Sequence, residues 1–89
     1  MMNQWLVYVL RCGDNSLYTG VTTDVERRVR EHNQDNKLAA SYTRSRRPVT
    51  LVYTELCSNR SEAQKREMEI KKLTRQQKEG LITSQALSI

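Results

Sequence analysis

The sequence predicts an α+β domain whose elements run strand, strand, helix, strand, helix. Three observations predict it. Two apolar runs, residues 5–12 and 17–22, flank the turn-forming Gly13-Asp14-Asn15-Ser16 and read as a hairpin. Twice a hydroxyl residue is followed three positions later by Glu or Gln, Thr23 to Glu26 and Ser61 to Gln64, the pattern of a capping box that opens a helix. A third apolar run, residues 49–57, lies between those helices. At 89 residues the chain is expected to form one domain over 1–82, followed by a flexible tail at 83–89.

Each element has its own reason. The run Trp5 to Cys12 is apolar in both alternating phases, which suits a strand covered on both faces. Leu17 to Thr22 is its hairpin partner. A helix is expected from about 24 to 35, with Val25, Val29 and His32 on one stripe and Arg28 on the edge of that stripe. Residues 36–48 read as a loop carrying four positive charges, Lys37, Arg44, Arg46 and Arg47, and no acid. The second long helix, to about 74, turns Ala63, Glu67, Ile70 and Thr74 inward. The segment about 76–81 admits a short helix, with Gly80 and a polar tail after it.

Lys and Arg number 15 against 10 Asp and Glu, a net charge of +5. Such an excess favours a polyanionic partner, because neutralising phosphates releases counterions. Cys12 and Cys57 lack CxxC or Cys/His spacing and are expected to be reduced thiols without a metal. The N-terminal residues lack the basic region of an export signal, and no stretch approaches the ~18 apolar residues of a membrane span. A soluble, cytoplasmic protein is expected, monomeric and without an obligate protein partner or membrane contact.

Six residues invite a chemical reading. Glu67 falls on an inward stripe, where a carboxylate is costly unless paired or bound to a metal; it is either the partner of an arginine or a site carboxylate. Arg28 is either solvated or a bidentate phosphate ligand. His32, the one histidine, is a core residue, a phosphate donor or an acid/base group. Tyr8 and Tyr18 are core residues or site phenols; a phenol with a pKa of about 10 needs a nearby cation to serve as a base at neutral pH. Gly20, on the face of Tyr18, leaves room there for a ligand backbone. In the loop, Tyr42, Arg44, Arg46 and Arg47 interleave an aromatic ring with guanidinium groups, a composition suited to phosphate contact and base stacking, or to solvation.

The order Leu6-Val7-Tyr8, Tyr18-Thr19-Gly20, Arg28, His32, Glu67 resembles the GIY-YIG endonuclease superfamily, and within it the small single-domain bacterial branch. The resemblance covers about residues 4–74. Of the first signature only the tyrosine survives; of the second, the tyrosine and glycine. The resemblance implies a three-stranded antiparallel sheet flanked by helices. It implies catalytic roles for Tyr8, Tyr18, Arg28 and His32 and a metal-binding role for Glu67. In a related branch a lysine often follows the second signature's glycine; here that position is Val21, so the contact is missing or supplied by Lys37 or Arg44.

Together these lines predict a metal-dependent endonuclease that hydrolyses phosphodiester bonds in nucleic acid, with DNA the expected form. Mg²⁺ or Mn²⁺ on Glu67 is expected to stabilise the leaving oxygen. Tyr18 is expected to take the proton of an attacking water with Tyr8 beside it, while Arg28 neutralises the phosphoryl oxygens and His32 orients the water or contacts phosphate. Gly20, Lys37, Tyr42, Arg44, Arg46 and Arg47 are the expected nucleic-acid contacts. The alternatives are a non-catalytic basic module on the same fold and a protein that docks an acidic partner. The nuclease reading requires Tyr8, Tyr18, Arg28, His32 and Glu67 to converge on one surface.

Overall fold

The computed structural model describes residues 4–87. Its elements are β1 (Trp5–Arg11), β2 (Leu17–Thr22), α1 (Val25–Gln34), α2 (Ser41–Arg44), β3 (Thr50–Cys57), α3 (Arg60–Lys72) and α4 (Arg75–Leu87). The strands form one antiparallel sheet in the order β2-β1-β3. The expected α+β class and the β-β-α-β-α order therefore hold, with the single turn α2 added and the short C-terminal helix admitted at about 76–81 extended into α4.

The doubly apolar run became the central strand. Val7, Tyr8, Val9 and Leu10 are all buried, alternating between the two faces. On one face Val7 and Val9 pack with Tyr53 and with Ala63 and Ile70 of α3; Leu81 and Ile82 of α4 close that cluster. On the other, Tyr8 and Leu10 pack with Cys12 and Val49, and Val25 and Val29 of α1 cover them. The β1–β2 register sets Tyr8 opposite Gly20 and Leu10 opposite Tyr18, so both tyrosines face α1. A bulge on the other side shifts the register between Val9 and Leu10, leaving Val52 as the extra residue of β3.

Both helix starts differ from the predicted boxes. Asp24, not Thr23, caps α1, accepting from the Arg27 amide at 3.1 Å. Asn59, not Ser61, caps α3, accepting from the Glu62 amide at 2.9 Å. In each case the preferred Asp or Asn oxygen reaches an amide three residues on, and the neighbouring hydroxyl is not needed. A reciprocal box does occur, at α4: Thr74 Oγ1 accepts from the Gln77 amide, and Gln77 Oε1 accepts from the Thr74 amide. Thr74 thus belongs to the next helix rather than to the inward stripe of α3.

The C-terminal segment is the main correction. Helix α4 runs through Gly80 to Leu87, so residues 83–87 of the expected tail are helical; residues 88–89 lie outside the described residues. Tertiary contacts explain it. Leu81 and Ile82 pack on the core, and Glu79 makes a two-pronged ion pair with Arg11, at 2.6 and 2.9 Å. The Gln85 amide bonds both polar groups of Thr54 on the outer edge of β3, which occupies that edge as a further strand would. Within the expected loop, residues 41–44 form the single turn α2. Cys12 and Cys57 are free, the first buried and the second half-buried. Among the described residues no helix is long and apolar enough to cross a membrane.

Candidate functional site

Tyr8 is the centre of the α1 face. Its register partner is Gly20, and its ring lies across that residue: a Cβ there would fall 2.5 Å from the Tyr8 hydroxyl. The space expected to admit a ligand backbone is therefore filled by the protein's own phenol. The Tyr8 hydroxyl lies 2.9 Å from His32 Nε2, and the nearby Arg28 guanidinium acts on it electrostatically. Helix periodicity brings Arg28 and His32, four residues apart on α1, to the same hydroxyl.

The electrostatics follow from burial. Tyr8 is 1 % exposed and His32 fully buried. Desolvation pushes the Tyr8 phenol up to about 12, although nearby Arg28 pulls the other way. Desolvation, then the Arg28 charge, drives His32 down to about 4, partly opposed by Glu31. Near neutral pH the pair is thus a protonated phenol beside a neutral imidazole. The other ring nitrogen, Nδ1, is 2.6 Å from Thr43 Oγ1.

Tyr18 is half-buried. Its ring meets His32 edge-on at 5.3 Å and stands 6.5 Å from the ring of Tyr8. Tyr42 of α2 stacks on its outer side at 5.9 Å, and the Arg46 guanidinium lies 3.9 Å over Tyr42. Glu67 leaves a fifth of its side chain accessible and pairs with Lys71 at 3.2 Å, not with an arginine. Its charge reaches the Tyr8 hydroxyl and raises that group's pKa. The carboxylate partner of Arg28 is Glu31 at 3.0 Å; Arg28 also donates to the Leu38 carbonyl at 2.7 Å.

The basic loop divides. Arg47 donates to the His32 and Asp35 carbonyls and to Asn36 Oδ1, so its fork closes the C-terminal end of α1. That geometry gives it a structural role at the end of α1, away from the group around Tyr8. Arg46 pairs with Asp14 at 3.1 Å. Arg44 and Lys37 are exposed, Arg44 donating to the Asn36 carbonyl.

Around Tyr8 the structure thus gathers Tyr18, Arg28, His32 and the charge of Glu67, with Tyr42 and Arg46 stacked outside. It does not bring in Arg47. It adds Thr43 and Glu31, which sequence reasoning missed. Glu31 had a signal, the helical spacing of three from Arg28; Thr43 had none. A groove of about 420 Å³ lined by Glu55, Leu56, Cys57, Ser58, Glu62, Lys65, Arg66 and Glu69 contains none of these residues. Its acids and bases largely pair with one another, as in Arg66 with Glu55 and Glu69. Among the described residues no three His, Cys, Asp or Glu side chains cluster as a metal cage. The donors near Tyr8 fit a hard cation held by one carboxylate and otherwise by water and phosphate, as Mg²⁺ is.

The family model described as the GIY-YIG catalytic domain matches residues 4–80. A UPF0213 protein of Desulfotalea psychrophila is 55% identical over 78 residues, covering 88% of this chain and 70% of that protein. One from Staphylococcus haemolyticus is 53% identical over 81 residues, covering 91% and 96%. A solution NMR structure of a protein from E. faecalis is 43% identical, with a TM-score of 0.65 over 99% of this chain and 92% of that one.

Proposed function

The chain belongs to the GIY-YIG family, alongside the UPF0213 proteins, and from that premise we propose that it is a divalent-metal-dependent endonuclease cutting phosphodiester bonds in nucleic acid, DNA foremost. The observation that carries the reading is the convergence on one phenol: Tyr8 has a proton acceptor at His32, a cation at Arg28 and the Glu67 carboxylate in electrostatic reach. A core tyrosine needs only one hydrogen-bond partner; this combination suits proton transfer beside an anion.

The roles follow from the geometry. Tyr8 Oη takes a proton from the attacking water as its own proton passes to His32 Nε2, so no free phenolate need form. This moves the base from Tyr18, as the sequence suggested, to Tyr8, because His32 holds the Tyr8 hydroxyl. Arg28 exchanges Glu31 for the phosphoryl oxygens and offsets the charge that builds on them. Glu67 is the residue that would hold Mg²⁺ or Mn²⁺, whose chemistry when bound is to stabilise the departing oxygen. Tyr18 and Tyr42 offer ring faces to the bases flanking the cut, and Arg44, Arg46 and Lys37 offer charge to the backbone. Because Tyr8 is 1 % exposed, substrate reaches it only as the side chains that cover it move. A nucleic-acid substrate would place the protein in the cytoplasm.

Plasmid, flap and branched DNA incubated with Mg²⁺ or Mn²⁺ test the proposal. Wild type should cut at least one substrate, and Arg28→Ala and Glu67→Ala should each cut roughly 10²–10³-fold more slowly. Absence of cutting by wild type, or full activity in both variants, sinks it. The burial of Tyr8 and the Arg28–Glu31 pair favour one second reading, a non-catalytic binding module. That module would bind DNA with a steep salt dependence untouched by Glu67→Gln or EDTA.

A further inference from the structure

Thr43 is fully buried at the single turn α2, against an equally buried His32. Its hydroxyl has one proton and two polar neighbours: the Ala40 carbonyl oxygen at 3.0 Å and His32 Nδ1 at 2.6 Å. The Ala40 carbonyl, which also receives the Arg44 amide at 2.9 Å, only accepts, and a hydroxyl 3.0 Å from its oxygen avoids facing lone pairs to lone pairs by sending its proton there. Nδ1 must then carry the other proton and donate to Oγ1. A neutral imidazole has one N–H, which leaves Nε2 bare. The group 2.9 Å from Nε2 is the Tyr8 hydroxyl, which therefore donates to it.

We propose that Thr43 is a positioning residue that locks His32 in the Nδ1–H tautomer and so keeps Nε2 open for the proton of Tyr8. The chain of donors then runs one way, Tyr8 to His32 to Thr43 to Ala40, and each proton has one acceptor. The opposite direction would set the Thr43 lone pairs against the Ala40 oxygen at 3.0 Å. It would also aim Nε2–H at the Tyr8 oxygen and leave Nε2 unable to accept.

The consequence for catalysis rests on the proposed nuclease reading; the tautomer itself does not. In that reading the water proton moves to Tyr8 Oη and the Tyr8 proton to His32 Nε2. The water oxygen forms a bond to phosphorus as the bond to the leaving oxygen breaks. The imidazolium so formed keeps its Nδ1–H on Thr43 and returns the other proton through Tyr8 to the leaving group or solvent.

His32 is the only histidine in the chain, so its ring nitrogens are identified without ambiguity. Long-range ¹H–¹⁵N NMR of the intact protein at neutral pH should give a pyrrole-type Nδ1 and a pyridine-type Nε2. The reverse assignment, or an even mixture, overturns the proposal. Thr43→Val removes the acceptor and should shift the ring towards the Nε2–H form. It should also lower kcat about 10²-fold with KM unchanged, and Thr43→Ser should restore both. If wild type cuts no DNA while the nitrogen assignment holds, the nuclease reading fails and the role of Thr43 in setting the tautomer stands. If wild type cuts and Thr43→Val matches it in tautomer and rate, the proposal fails. Circular dichroism checks that Thr43→Val folds; should it not, the wild-type spectrum and Thr43→Ser decide.

Discussion

The two faces of β1 bury neighbouring residues of one strand in unlike surroundings. Towards α3 and α4, Val7 and Val9 meet Ala63, Ile70, Leu81 and Ile82, a largely apolar contact. Towards α1, Tyr8 meets His32, Arg28 and, through His32, Thr43. Every buried side-chain polar atom among the described residues has a hydrogen-bond partner, so the polar face is tolerated because it is satisfied. The difference teaches that alternation along a single strand can separate the groups that hold the fold from the groups that carry proton chemistry.

The largest expected effect comes from the apolar face. Ile70→Ala should cost about 2–5 kcal/mol in denaturant unfolding, since the side chain is fully buried. The His32 ring signals of the folded fraction should not move. A change in those signals would show that the two faces are coupled and break the comparison.

Gly20→Ala strikes the polar face alone. The new Cβ would lie 2.5 Å from the Tyr8 hydroxyl, and that ring is wedged in place. Overpacking should cost about 1–3 kcal/mol and break the Tyr8–His32 hydrogen bond. The melting temperature reads the first effect and the His32 nitrogen shifts the second. If both stay at wild-type values, the close packing of Tyr8 on Gly20 is not a constraint.

Stability against pH also separates the faces. His32 titrates near 4 in the fold against an ordinary 6.5, so the unfolded chain binds more protons between those values. Its contribution is whole above about 6.5 and is lost as pH falls towards 4. Glu79, beside Arg11 on the α4 side, is held near 2 against an ordinary 4.5. Its contribution is present above about 4.5 and is lost as pH falls towards 2. Stability measured against pH should therefore drop in two windows, and His32→Phe should remove the upper one only. Persistence of the upper window in that variant would assign it to another group.

Much of this was legible in the chain. The doubly apolar run from Trp5 identified the central strand, and the Val25-Val29-His32 stripe placed the histidine inward. The exact helix caps were not, since Thr23 and Asp24, or Asn59 and Ser61, offer competing oxygens one or two residues apart. Helix α4 was read as a short helix over about 76–81 because Gly80 reads as a stop, although the Thr74–Gln77 box and the apolar pair Leu81-Ile82 were visible signals of its full length. Arg47 looked like its neighbours Arg44 and Arg46, and only its contacts with the end of α1 set it apart.

Sequence alone determined the class, the order of elements and which residue types would stand near one another, because periodicity and turn chemistry are local. Tertiary structure decided which hydroxyl lies on His32, which carbonyl beyond α1 receives Arg28 and what fills the space above Gly20. Those contacts join residues 10 to 30 positions apart in ways that depend on register, ring orientation and the path of α2. No local pattern records them, and the proton order of the candidate site depends on them.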